Sequence, residues 1–180
     1  MSDNPTFQIA TGVQARREGR LDDAYHAYQQ AADASRASGK EEHLITALAG
    51  LGQIERDRGR LDQAQKHYAE ALTLCRDQGF PLRTASVARH LGDIFRLNGQ
   101  AQQAESLLSE AISLYRQSLD TKVLDLANAI RPLALFKTAE GDINGARLLW
   151  QEAQVLYSAV NVDAGAAECS SQLAKLTHRA

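Results

Sequence analysis

Gly59-Arg60-Leu61-Asp62-Gln63-Ala64 decides the fold, because three other segments repeat its pattern. They are Gly19-Arg20-Leu21-Asp22-Asp23-Ala24, Gly99-Gln100-Ala101-Gln102-Gln103-Ala104 and Gly141-Asp142-Ile143-Asn144-Gly145-Ala146. The leading glycines lie 40, 40 and 42 residues apart, and each is followed five positions later by alanine. A fixed period of this size signals a repeat array, in which each unit buries its apolar face only against its neighbours.

Outward from Gly59, the flanking residues resolve into two helices. Upstream, Leu44, Ala47, Leu48, Leu51 and Ile54 recur at helical spacing, predicting helix A over about 41–58. Gly59 stops it, with Arg56 and Arg58 suited to the negative end of the helix dipole. Downstream, Asp62 falls in the opening turn of helix B, where a carboxylate meets free amide groups. Helix B then carries Ala64, Tyr68, Ala71, Leu72 and Cys75 before Gly79 ends it.

The same reading places units at about 5–38, 41–78, 81–118 and 121–159 in a single domain over 1–180, nine helices in all. A last amphipathic stretch, Val162 to His178, caps the array with Val162, Ala166, Cys169, Leu173 and Leu176 on one face. Small residues recur where antiparallel helices must approach closely: Gly12, Gly52, Gly92 and Ala134 on helix A, with Ala24, Ala64, Ala104 and Ala146 on helix B. A third set is Ala31, Ala71, Ala111 and Ala153, and between the two helix B sets stand Tyr28, Tyr68, Leu108 and Trp150. Small beside large at regular spacing lets facing helices interdigitate.

Composition bounds the function. The chain has 180 residues, 44% of them apolar, with net charge −2, so no global field attracts nucleic acid or an anionic membrane. The first ten residues lack the basic-then-apolar pattern of a secretory signal, and no apolar run approaches the roughly 18 residues of a membrane span. Cys75 and Cys169 sit 94 residues apart and read as reduced thiols, which points to a cytoplasmic protein. His26, His43, His67, His90 and His178 are scattered, with no metal-binding pair. Phosphate loops and nucleophile–base arrangements are absent, so the expectation is no enzyme, no metal and no cofactor.

These residues resemble the tetratricopeptide repeat (TPR). Its signature of Leu-Gly on helix A followed by alanine, aromatic and alanine on helix B is matched by Leu51-Gly52 with Ala64, Tyr68 and Ala71. Leu91-Gly92 with Phe95, Ala104 and Ala111 matches nearly as well. The usual unit is about 34 residues and ends in proline; here Arg76 or Arg116 takes that place, and Leu48 and Ala88 replace the helix A tryptophan. The longer unit is similar to those of kinesin light chains, Pins-type polarity adaptors and bacterial regulators. HEAT and armadillo repeats share the period but lack the Gly-x-Leu-x-x-Ala joint. The resemblance implies an all-α, right-handed α-α superhelix of about four helix pairs plus a capping helix.

It also implies a groove lined by the helix A residues that face away from helix B. Those positions are Ile9, Val13, Arg16 and Arg17, then Ala49, Gln53, Arg56 and Asp57. Further along come Ser86, Arg89, Asp93 and Arg96, then Asn128, Arg131 and Leu135. Six arginines against two aspartates make this lining basic. Arginine holds carboxylates by a planar two-pronged contact, so the expected partner is an acidic peptide or protein segment. The candidate binding residues are Arg56, Arg89, Asp93, Arg96, Asn128 and Arg131. Arg56 and Arg96 also fall in last turns, where any cation is favoured, whereas Arg89 and Arg131 are mid-helix at equivalent places. The lysine–asparagine clamp of chaperone-binding relatives is missing, with Ile9 and Val13 instead. The other readings are a self-assembling scaffold joined through terminal helices and a signalling-peptide sensor of a bacterial regulator. Pro132, inside the apolar pattern Leu126 to Phe136, withdraws one helical hydrogen bond and suggests a bend.

Overall fold

The structure, a computed structural model, describes residues 4–177. Among them are nine α-helices. Two compact units are formed, Met1–Phe80 and Pro81–Ala180. The first holds α1 (Pro5–Arg17), α2 (Leu21–Ser38), α3 (Glu41–Asp57) and α4 (Leu61–Asp77). The second holds α5 (Pro81–Leu97), α6 (Ala101–Gln117), α7 (Val123–Ala139), α8 (Ile143–Ala159) and α9 (Asp163–Thr177). Within each unit every helix packs on the next, and the A helices also touch, α1 on α3 and α5 on α7.

The repeated glycine closes each A helix for a reason visible at Gly59. Its φ is +74°, a left-handed conformation costly for any residue with a Cβ. There Gly59 N–H donates to the Arg56 carbonyl at 2.9 Å and Arg60 N–H to the Glu55 carbonyl at 2.8 Å, satisfying carbonyls the helix end leaves free. Helices α2, α3, α4 and α6 begin without a side-chain cap. In three of them acidic first-turn residues stand in: Asp22 and Asp23, Glu41 and Glu42, and Asp62.

The joint packs as its small residues require. All eight repeated helix B alanines are fully buried. In the first unit a Cβ on Gly12 would lie 3.0 Å from the Tyr28 ring and one on Gly52 2.8 Å from the Tyr68 ring. In the second, a Cβ on Gly92 would lie 2.8 Å from Leu108. Trp150 is fully buried and its indole N–H donates to Thr138 Oγ1 at 3.1 Å.

Helix α9 covers α8. Cys169 and Leu176 are buried in the second unit's core, and Val162, Ala166 and Leu173 pack against it. The apolar face expected on this helix therefore packs inside the unit. His178, the last residue expected in this helix, lies outside the described residues. Both cysteines are fully buried and unbridged. Helix α7 runs from Val123 to Ala139 through a buried Pro132. No helix among the described residues is long and apolar enough to cross a membrane, and no group of three or more metal-ligating side chains gathers among them.

Candidate functional site

Of the six candidate residues, Arg56 belongs to the first unit and the other five to the second. Arg56 ends α3 beside Asp57, with 3.5 Å between the charges. Asp57 also accepts Arg16 from α1 at 2.8 Å. Two arginines of that lining thus share one carboxylate.

In the second unit α5 and α7 pack side by side and bring Arg89, Asp93, Arg96, Asn128 and Arg131 to one region. The Asp93 charge acts on Arg131, and both Arg89 and Arg131 act on the Tyr157 phenol. Arg96 bridges back one turn to Asp93 at 2.8 Å. Arg131 makes a two-pronged contact with Glu168 of α9, Nε and Nη2 donating at 2.7 Å each. Asn128 Oδ1 accepts the Tyr157 hydroxyl at 2.9 Å, so the Asn128 amide group keeps two N–H donors for other partners.

Arg89 is placed differently. Its Nη2 lies 2.8 Å from His90 Nε2, and its guanidinium shares the Tyr115 hydroxyl with Ser86. Its Nε is buried without a hydrogen-bond acceptor. Arg56, Arg96 and Arg131 each have a carboxylate partner; among the described residues Arg89 has none. An orphaned donor of this kind costs about 1–3 kcal/mol, more when it belongs to a charged group.

Burial pushes the Tyr115 and Tyr157 phenols up, and the nearby guanidiniums act against that shift. Both stay neutral at physiological pH and present hydroxyls toward the arginines. Tyr115 and Tyr157 are buried in the second unit's core and, with Glu168, lie among the candidate residues. The available signal was chemical: a buried tyrosine, unlike leucine or phenylalanine, needs a hydrogen-bond partner for its hydroxyl. Glu168 was legible only through the 37-residue spacing that brings α9 beside α7.

A family model described as the MalT-like TPR region matches residues 5–177. No match to a curated protein is found. Among solved structures, BtubC (BKLC) from P. vanneervenii is 23% identical with a TM-score of 0.77, covering 87% of this chain and 64% of that one. The apo form of RapI is 10% identical with a TM-score of 0.84, covering 92% of this chain and 60% of that one. A putative kinesin light chain from Podosopora anserina with nearly identical TPR-like repeats is 14% identical, with a TM-score of 0.72, covering 99% of this chain and 97% of that one. The chain thus spans less than two thirds of the first two proteins. At these identities the likeness is one of fold, an all-α arrangement of TPR-type helix pairs.

Proposed function

This chain belongs to the MalT-like TPR region family, and on that premise we propose that it is a non-catalytic docking module for an acidic protein segment. The segment lies against α5 and α7 of the second unit, with Arg89 as its anchor. The observation that carries this reading is the Arg89 guanidinium without a carboxylate, between neighbours whose charges are already matched. A ligand carboxylate supplies the missing counter-charge, and a charge-assisted hydrogen bond of that kind contributes about 1.5–3 kcal/mol. Asn128 adds amide donors for the ligand backbone, and Arg96 and Arg131 fix the field around the anchor without being the primary contacts. The buried, unbridged thiols Cys75 and Cys169 are in keeping with a reducing, cytoplasmic setting.

Calorimetric titration of an acidic peptide and its Asn/Gln counterpart tests the reading. The acidic peptide binds the parent more tightly, and its affinity falls when salt rises from about 0.05 to 0.5 M. Arg89→Glu weakens it by about tenfold or more, equivalent to ~1.4 kcal/mol. Equal affinity for both peptides, or no loss in Arg89→Glu, overturns the assignment.

A further inference from the structure

The outward faces of the B helices differ between the two units in a way the groove does not explain. Helix α2 exposes four charged residues, Asp22, Asp23, Asp33 and Arg36, and α4 exposes five, Asp62, Lys66, Glu70, Arg76 and Asp77. Helices α6 and α8 expose fewer: Arg116, held in a two-pronged contact with Glu152 at 2.9 and 2.7 Å, and the half-exposed Glu105, paired with Lys137 of α7 at 2.5 Å. The other exposed positions of α6 include Ser106, Ser109, Ser113 and Gln117, while α8 shows Leu148, Gln151, Val155 and Ser158. Leu148 and Val155 are each 68% exposed and lie two turns apart on one side of α8. Beside them a cavity of about 400 Å³ opens, lined by Ile112, Leu133 and Leu149 with Ser109, Ser113, Arg116 and Gln117.

We propose that this face pairs two copies of the chain about a twofold axis. Scarcity of charge at the centre of a surface patch is the compositional mark of a protein interface. The Arg116–Glu152 and Glu105–Lys137 pairs are each internally neutral, so two copies meet without strong like-charge repulsion, whereas a strongly charged partner finds no unpaired counter-charge. Projecting side chains and a receiving cavity lie on the same patch, which is what a twofold contact requires: Leu148 and Val155 of each copy enter the cavity of the other. Two 17-residue helices, each about 25 Å long and 8–10 Å apart, present roughly 500 Å² per copy. That is ~1,000 Å² in total, at the threshold for a specific but dissociable dimer.

Sedimentation equilibrium on the full chain tests this. At about 10 µM, where a dimer of micromolar Kd is largely formed, the parent sediments as a dimer. Leu148→Asp with Val155→Asp sediments as a monomer, and at concentrations well below the dimer Kd it melts with the parent, since both side chains are exposed in a single copy. Ser109→Lys with Ser113→Lys, which adds like charges to the same face, gives the same result if the first variant melts early. Leu148→Cys, in a chain whose own thiols are buried, forms an intermolecular disulfide on mild oxidation. A monomeric parent, or a dimer that survives both charge-bearing variants, overturns the proposal. Binding of the acidic peptide is unaffected by these variants, so the two assignments fail independently.

Discussion

Tyr28 shows how tightly single residues are specified. Its ring lies between two helices: a Cβ on Gly12 would come to 3.0 Å from one face and a Cβ on Gly50 to 2.5 Å on the other. The repeated glycine at Gly12, Gly52 and Gly92 was legible from its period, but Gly50 was not, because its demand comes from the preceding helix pair. Gly50→Ala gains up to about 1 kcal/mol in helix propensity but must displace a ring with no room to retreat, at about 1–3 kcal/mol. Overpacking wins, and the melting temperature falls. In the Tyr28→Leu background the same substitution loses its penalty, and a double-mutant cycle of thermal melts measures the difference. A second residue-scale outcome concerns pH. Burial raises the phenols of Tyr28, Tyr115 and Tyr157 above the ordinary tyrosine value near 10. The unfolded chain therefore releases these protons first, so the stability they contribute is intact below about pH 10 and is lost as pH climbs through the raised values. Denaturant midpoints between about pH 9 and 11 fall steeply in the parent and less so in Tyr115→Phe.

At the scale of elements, the glycine joint and the helix boundaries could be read to within a residue or two, because both follow from local periodicity and backbone conformation. The last joint departs from the rule. Asn161, at φ +56°, stands where six other joints have glycine (the α6–α7 joint has no left-handed residue), and it closes α8 by the same two bonds, Asn161 N–H to Ser158 and Val162 N–H to Tyr157. Asn161→Gly removes the Cβ strain and stabilises by a few tenths of a kcal/mol, while Gly59→Ala at φ +74° costs about 1–2 kcal/mol. Urea titrations that rank the two in the opposite order contradict this account. Less legible was the electrostatic lacing between elements. Arg36 of α2 reaches Glu70 of α4, Arg116 of α6 reaches Glu152 of α8, and Arg131 of α7 reaches Glu168 of α9. The arginine at the end of helix B thus has a carboxylate waiting 34 or 36 residues on. Counting arginines in one groove lining overstated its basic character, since a lining charge is cancelled by a residue on another helix. Only the contact between helices reveals that.

Across the molecule, the repeat period carried the fold because each helix owes its place to its sequence neighbours, and contacts do not leap between distant segments within a unit. What the period could not carry was asymmetry along the chain. It treats α2, α4, α6 and α8 as equivalent, yet α6 and α8 expose fewer charged residues than α2 and α4. It also left open whether α9 is a cap or a contact surface. The burial of Cys169 and Leu176 shows that the apolar face of α9 packs into the second unit's core. Where helices are coupled only to their neighbours, damage at α9 spreads inward with diminishing force. Leu176→Ala removes a side chain that is 1% exposed, at about 2–5 kcal/mol. Hydrogen exchange in this variant therefore quickens most in α9 and α8, less in α6 and α5, and least in α1 and α2. Uniform acceleration through all nine helices would mean that the chain unfolds as one indivisible core, and the nearest-neighbour account of its stability would then be wrong.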